Sequence, residues 1–396
     1  MNNDTLPSLR LRRGKEESLD RLHPWVFSGA LTEMPRDIEE GSVVRVTAHD
    51  GRLIGVGHFQ IGSIAVRMLD FADTVIDENF FATRLAQAYA LRKTLGLQRP
   101  DNTAFRLVHG EGDFLPGLVV DVYGDTAVVQ AHSPGMHYVR DIVARRLTLL
   151  PGAGIANVYY KSETTLPYKA RLDPQNDYII GQYSGNVALE NGLKFHIDWL
   201  RGQKTGFFVD QRENRRLLER YAAGRKVLNM FCYTGGFSVY ALRGGASTVH
   251  SVDSSAKAID LTRANVALNF DGDNRHEAFA EDAFRFLSHA DDTYDLIVLD
   301  PPAFAKHKDA LRNALKGYTR LNAIAFEKIR KGGILFTFSC SQAVNKDQFR
   351  MAVFTAAAQS GRHVRILHQL HQPADHPVNI YHPEGEYLKG LVLYVE

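Results

Sequence analysis

A chain of 396 residues with 44% hydrophobic and 23% charged residues is long enough for two or three packed domains and too apolar for intrinsic disorder. Its formal net charge of +2 neither demands nor excludes a polyanionic partner, because a basic groove can sit within a balanced total. The two cysteines, Cys232 and Cys340, rule out a disulfide framework or a thiolate metal quartet, and neither a signal segment nor an eighteen-residue apolar run is found, so a cytosolic protein without a membrane anchor is expected.

In chain order, the first domain (residues 1–75) carries short alternating runs, VVRVTA, LIGVGHF and SIAVRML, separated by glycines and charged turns, as in a small β barrel or sandwich. FFATRLAQAYALRKTLGL, from Phe80, has helical spacing and opens a central α/β unit (residues 76–185). AFRLVHGEGDFLPGLVVDVYGDTAVVQAH reads there as a turn-rich strand pair, HYVRDIVARRLTLL as a helix and ANVYYKS as a strand. The unit ends near the polar stretch LDPQNDYIIGQYSGN. In residues 186–396 continuously apolar strands alternate with amphipathic helices: KVLNMF and FSVYALRG, TVHSVDSS and KAIDLTRANVALN, YDLIVLDPP and KGYTRLNAIAFEKIRKG, GILFTFSCS and DQFRMAVFTAAAQSG. That order predicts an α/β fold, a mostly parallel sheet wound on both faces.

Ligands of such sheets bind where the strands end, so the residues just after each strand are the candidates for chemistry. After the first strand, NMFCYTGGF places Gly235 and Gly236 at a helix start, where glycine permits close backbone approach or merely eases the turn. Asp253 ends the second strand about twenty residues later, the position of a ribose-binding carboxylate. It could instead cap the next helix, a task Ser254 or Ser255 can perform. Asp282 in AEDAFRFL is either a reader of an adenine amino group or an N-cap. In LDPPAFAK, Asp300 follows the four apolar residues Leu296 to Leu299, and two prolines hold the chain after it extended.

NMFCYTGGF, SVDSS, AEDAF, LDPPAF and FSCSQ resemble the successive motifs of class I S-adenosylmethionine-dependent methyltransferases, and specifically those of the bacterial ribosomal RNA large subunit methyltransferase I family. GEGDFLPGLVVDVYGD (Gly110 to Asp125) and GQKTGFFVDQRENRR (Gly202 to Arg216) are similar to that family's linking motifs, so the resemblance spans the whole chain. It implies a PUA-like RNA-binding domain first, then a small central α/β domain, then a Rossmann-like methyltransferase domain. It further implies S-adenosylmethionine as cofactor, held by Phe231, Thr234, Gly235, Asp253, Ser254, Asp282, Asp300 and Gln211, and methylation of carbon 5 of a cytosine in 23S ribosomal RNA.

Carbon 5 of a pyrimidine is a poor nucleophile, and a thiolate that adds at carbon 6 makes it reactive and is later expelled. Cys340, at the end of the fifth strand beside Asp300, is the expected nucleophile, with Asp300 as its catalytic partner; Cys232, inside the cofactor turn, reads as packing. Many RNA cytosine-5 methyltransferases carry a second cysteine where this chain has Ala303. Lys306, Lys308, Arg312, Lys316 and Arg320, against one acid, Asp309, form a basic run for phosphate contact, and Arg10, Arg12 and Arg13, followed by Trp25 and Phe27, form a weaker one. His109, Glu111 and Asp113 have no further ligand at metal spacing, so no metal is expected. The alternatives are a methyltransferase of the same fold acting on adenine or guanine nitrogen or on uracil carbon 5, a nicotinamide oxidoreductase, and an RNA-binding protein with a relict cofactor site. A homodimer is left open.

Overall fold

The computed structural model describes residues 5–167, 170, 172, 174–290, 293–305 and 308–396, the side chain of Lys308 excepted. The chain forms two compact units. One comprises Met1–Asn191, Ile197–Val209 and Ala374–Gly385, the other Gly192–His196, Asp210–Pro373 and Glu386–Glu396.

The first unit holds two five-stranded sheets. β1 (Ser8–Arg10), β2 (Trp25–Phe27), β3 (Val43–Thr47), β4 (Leu53–Phe59) and β5 (Ile64–Asp70) take the order β1-β3-β4-β5-β2, with the short helix α1 (Glu17–Asp20) after β1. Alternation aims Leu9, Leu11, Val44 and Val46 into one core with Phe59 and Val66, while Arg10 and Arg12 point outward. The second sheet contains β6 (Ala104–His109), β7 (Leu118–Tyr123), β8 (Thr126–Ala131), β9 (Asn157–Tyr160) and β10 (Asp177–Ile180), packed by α2 (Glu78–Thr94), α3 (Pro134–Tyr138) and α4 (Arg140–Thr148). Here the sequence reading needs two corrections. The expected strand pair is three strands, because the chain turns tightly at Gly124 (φ 63°) between LVVDVY and TAVVQA. The polar stretch that closes the unit contains β10, which pairs antiparallel with β9. A neighbouring strand's free edge satisfies its backbone despite polar flanks. β11 (Val187–Glu190) also lies in this unit, where the Thr103 N–H donates to the Leu189 carbonyl at 2.7 Å.

The second unit begins with β12 (Leu193–His196), tied to the side chains of Asn265 and Asn269. Helix α5 (Arg212–Glu219) precedes a seven-stranded sheet made of β13 (Lys226–Met230), β14 (Thr248–Asp253), β15 (His276–Ala280), β16 (Tyr294–Leu299), β17 (Ile329–Ser339), β18 (Val364–Leu370) and β19 (Lys389–Val395). Its order is β15-β14-β13-β16-β17-β19-β18, the first five strands parallel and β19 antiparallel to both neighbours. α6 (Gly236–Arg243) and α7 (Ala256–Asn269) pack on β13 and β14. α8 (Ala283–His289), α9 (Leu311–Lys328) and α10 (Lys346–Ser360) enclose a core of Leu228, Ile297, Leu335, Tyr318, Phe326 and Phe349. The expected α/β methyltransferase fold is therefore present. α9 starts five residues before the expected helix and stops at Lys328, because Ile329 is drawn into the sheet opposite Tyr294. Among the described residues no helix is long and apolar enough to cross a membrane.

Candidate active site

Parallel register pairs Met230 with Val252 and with Leu299, and Leu299 with Thr337, so β13, β14, β16 and β17 end along one edge. Side chains that are far apart in sequence emerge there together.

The turn after β13 holds Phe231, Tyr233 and Gly235 at φ values of 58°, 47° and 75°. Two non-glycine residues in left-handed conformation persist only where surrounding contacts over-determine them. Thr262 Oγ1 donates to the Tyr233 carbonyl at 2.9 Å, Asn265 Nδ2 donates to the Thr234 carbonyl at 2.8 Å, and the Tyr233 N–H donates to Asp253 Oδ2 at 3.0 Å. Gly235 has no substitute in this turn, since a Cβ would lie 2.6 Å from Cγ2 of Thr262.

Asp253, half-buried at the end of β14, also accepts from the Ser255 N–H at 2.9 Å. Two hydrogen bonds leave lone pairs on both oxygens, which suits the paired hydroxyls of a ribose. Ser254 is exposed, and the cap of α7 is Ser255, whose side chain accepts from the Ala258 N–H. Asp282 is exposed and caps α8, accepting from the Arg285 N–H at 2.9 Å through one oxygen.

At the end of β16 the Asp300 carboxylate is fixed from α5's start. Gln211 Nε2 donates to Asp300 Oδ2 at 3.0 Å, and Asn214 Nδ2 donates to Gln211 Oε1 at 2.6 Å. The second bond assigns the amide orientation that the first requires. Cys340 follows β17 directly, half-buried, with Sγ 4.0 Å from the Pro301 carbonyl. The neighbouring serines secure that segment. Ser341 Oγ donates to the Ala305 carbonyl at 2.5 Å, and Ser339 Oγ donates to the Tyr318 hydroxyl at 2.9 Å. Cys232 differs sharply, being buried, and burial pushes its thiol up to about 12.

Arg312, Lys316 and Arg320 are exposed and four residues apart, on one face of α9. They line an open depression of about 570 Å³ with Thr319 and Ala323. Lys306 lies outside the described residues, as does the side chain of Lys308. In the other unit Arg10, Arg12 and Arg13 are exposed, although Arg12 Nε donates to the Leu31 carbonyl at 2.8 Å. Phe27 is exposed, whereas the Trp25 indole donates to Glu111 at 2.8 Å.

Of the residues considered for a metal, Glu111 and Asp113 are committed to cations: Glu111 to Arg67 at 2.8 Å and Asp113 to the buried guanidinium of Arg92. His23, His382 and Glu384 bring ligand atoms within 4.8 Å of one another beside Trp25, a grouping sequence spacing could not reveal. Sequence reasoning also missed Asn214, Thr262 and Asn265, which hold the site's backbone and carboxylate. The i, i+3 pair of Thr262 and Asn265 on an otherwise apolar helix face was a readable signal.

Comparison with known proteins agrees with this geometry. Residues 106–385 match the family model of S-adenosylmethionine-dependent methyltransferases, and residues 9–71 match that of PUA-like domains. The chain is 40% identical to a ribosomal RNA large subunit methyltransferase I of Shewanella denitrificans, over 98% of this chain and 99% of that one. It is 37% identical to the protein of that name from Klebsiella pneumoniae, over 100% of both chains. A Streptococcus mutans structure described as a SAM-dependent methyltransferase shares the fold, with a TM-score of 0.84 at 23% identity over 98% of this chain and 100% of that one. So does a methyltransferase complexed with SAH, with a TM-score of 0.85 at 24% identity over 98% and 100% of the two chains. A PUA-like domain at the front, a methyltransferase sheet whose acids and cysteine meet at one edge, and relatives matched from end to end lead to one assignment: the chain belongs to the ribosomal RNA large subunit methyltransferase I family of S-adenosylmethionine-dependent methyltransferases.

Proposed function

We propose that this chain methylates carbon 5 of a cytosine in 23S ribosomal RNA, with Cys340 as the nucleophile that adds to carbon 6. The observation that carries the reading is the contrast between the two thiols: Cys340 is half-exposed at the strand edge beside the DPP turn, and Cys232 is buried with a thiol pushed up to about 12. Reactive cysteines occupy polar, partly open sites. The names of the relatives support ribosomal RNA as substrate, which suits the cytosolic setting expected from the sequence.

S-adenosylmethionine, when bound, supplies an electrophilic methyl group. Phe231, Thr234 and Gly235 shape the turn that would hold it, Asp253 and Ser254 would meet its ribose, Asp282 its adenine, and Gln211 with Asp300 would border the transferred methyl. The target base must leave its stack to reach this edge. The Cys340 sulfur then bonds carbon 6, which gives carbon 5 the electron density to take the methyl, while Asp300 accepts from the exocyclic amine. Loss of the carbon-5 proton lets the sulfur–carbon bond break and returns the thiolate. The group that takes that proton is unassigned, because Ala303 stands where many related enzymes carry a second thiol. Residues 1–75, with Arg10, Arg12 and Arg13, would grip RNA as a PUA-like domain. Lys306, Lys308 and Arg312 would meet phosphates near the site.

The test is Cys340→Ala together with 5-fluorocytosine RNA. Loss of methyl transfer with cofactor binding intact, and a covalent RNA complex in the wild type alone, are the expected results. Retained activity with 5-methylcytosine confirmed by mass spectrometry would remove Cys340 as nucleophile, and a methylated purine or uracil would redirect the substrate.

A further inference from the structure

Lys389 opens β19, and the antiparallel register sets it opposite Ser339, the residue before Cys340. It is only 6% exposed. Its Nζ donates to the Ser341 carbonyl at 2.6 Å and to the Val344 carbonyl at 2.7 Å. Both acceptors belong to SCSQAV, so the ammonium bridges the two ends of the segment that follows the cysteine. Among the described residues no carboxylate forms an ion pair with it, and carbonyls alone are poor compensation for a buried charge. A lysine in that situation favours an anion nearby, and ionisation of Cys340, in the segment the lysine clamps, supplies one.

From this geometry we infer that Lys389 is the positioning residue for Cys340: it clamps the backbone after the cysteine and supplies the positive charge against which the thiolate forms. The inference rests on Cys340 being the nucleophile. Burial draws Lys389 down, to about 8 with the opposing pull of the Cys340 thiolate included, so the two charged forms stabilise each other while the lysine stays mostly protonated at neutral pH. Among the described residues, the other ionisable groups around this segment do not supply that charge. Asp300, at the end of β16, is an acid that opposes the thiolate. Tyr318 on α9 is held up to about 12, chiefly by burial, and stays neutral. Lys346 of α10 and Glu386 act on Lys389 in opposite senses and pair with each other at 2.6 Å.

The experiment measures iodoacetamide alkylation of Cys340 from pH 6 to 10, read by mass spectrometry of its peptide, in the full-length wild type, Lys389→Gln and Lys389→Arg. Glutamine keeps a donor for the carbonyls and removes the charge; arginine keeps the charge. The expected outcome is a midpoint at least one pH unit higher in Lys389→Gln, about tenfold slower alkylation near neutrality, and recovery in Lys389→Arg. The same midpoint in Lys389→Gln and wild type would overturn the inference, as would equal shifts in both variants, which would mean a clamp without a charge effect. Should Lys389→Gln fail to bind S-adenosylmethionine, Lys389→Met with cofactor added as a stabiliser is measured against the same two outcomes. The two readings fail separately. Methyl transfer by Cys340→Ala would end the nucleophile assignment, whereas a trapped 5-fluorocytosine adduct that forms at the same rate in wild type and Lys389→Gln would end the role of Lys389 alone.

Discussion

The amide of Gln211 donates to the carboxylate of Asp300 across 3.0 Å, although 89 residues separate them. The contact fixes one oxygen of the carboxylate at the strand edge. Gln211→Leu would remove the donor and leave a half-buried carboxylate short of one bond. A hydrogen bond to a charged group is worth about 1.5–3 kcal/mol, so methyl transfer under kcat/KM conditions is expected to fall roughly 10- to 100-fold. Single-turnover kinetics would check it, and an unchanged rate constant would mean that Asp300 needs no orienting partner.

Asp253 serves the turn and the ligand at once, because it accepts from the backbone of Tyr233 and of Ser255. Asp253→Ala is expected to weaken S-adenosylmethionine binding by about 2 kcal/mol through lost charge-assisted hydrogen bonds. Thr262→Val loosens the same turn from the other side without touching the ligand, and should cost less. Calorimetric titration separates the two, and equal losses would show that Asp253 acts only through the turn.

His58 is buried in the first unit, its ring against Gly135, where a Cβ would lie 2.2 Å from the imidazole. Burial lowers its pKa to about 4, below the ordinary 6.5. The unfolded chain therefore binds a proton in this window that the folded chain refuses, so stability is complete above about pH 6.5 and is lost as the pH falls towards 4. Between pH 7.5 and 5 this group should remove about 2 kcal/mol, an order-of-magnitude figure. Urea titrations of the wild type and His58→Gln would show a flatter pH dependence in the variant, and parallel profiles would refute it.

Arg312, Lys316 and Arg320 present three cations on one face of α9. If they meet phosphates, replacing all three with glutamine should weaken RNA binding whatever the sequence and lower the slope of log K against log salt by about 2–3. A filter-binding series from low to moderate salt reads that slope. An unchanged slope would move the RNA path away from this helix.

Local chemistry makes much of this protein legible in the chain alone. The strands LIGVGHF and KVLNM, the helix KAIDLTRANVALN, and the motifs NMFCYTGGF, SVDSS, LDPPAF and FSCSQ are contiguous, and their periodicities of two and 3.6 need no partner to be read. β10 and the exact span of α9 were not legible, since an adjacent strand edge decided both. Nor did the sequence disclose which side chains hold the acids and the cysteine in place. Gln211 reaches Asp300 from 89 residues away, and Lys389 reaches the carbonyl of Ser341 from 48 residues away. Such pairs are created by sheet order and register, in which β19 runs antiparallel beside β17 and sets Lys389 opposite Ser339. A lysine at the head of the apolar run KGLVLYV looks from sequence like a solvated strand end, and only the neighbouring strand turns it into a buried cation held by the carbonyls of Ser341 and Val344. The sequence thus determined which chemical groups stand at each strand end, because those depend on neighbours in the chain. The tertiary structure decided which of them share an environment, because electrostatics and hydrogen bonding depend on distance in space.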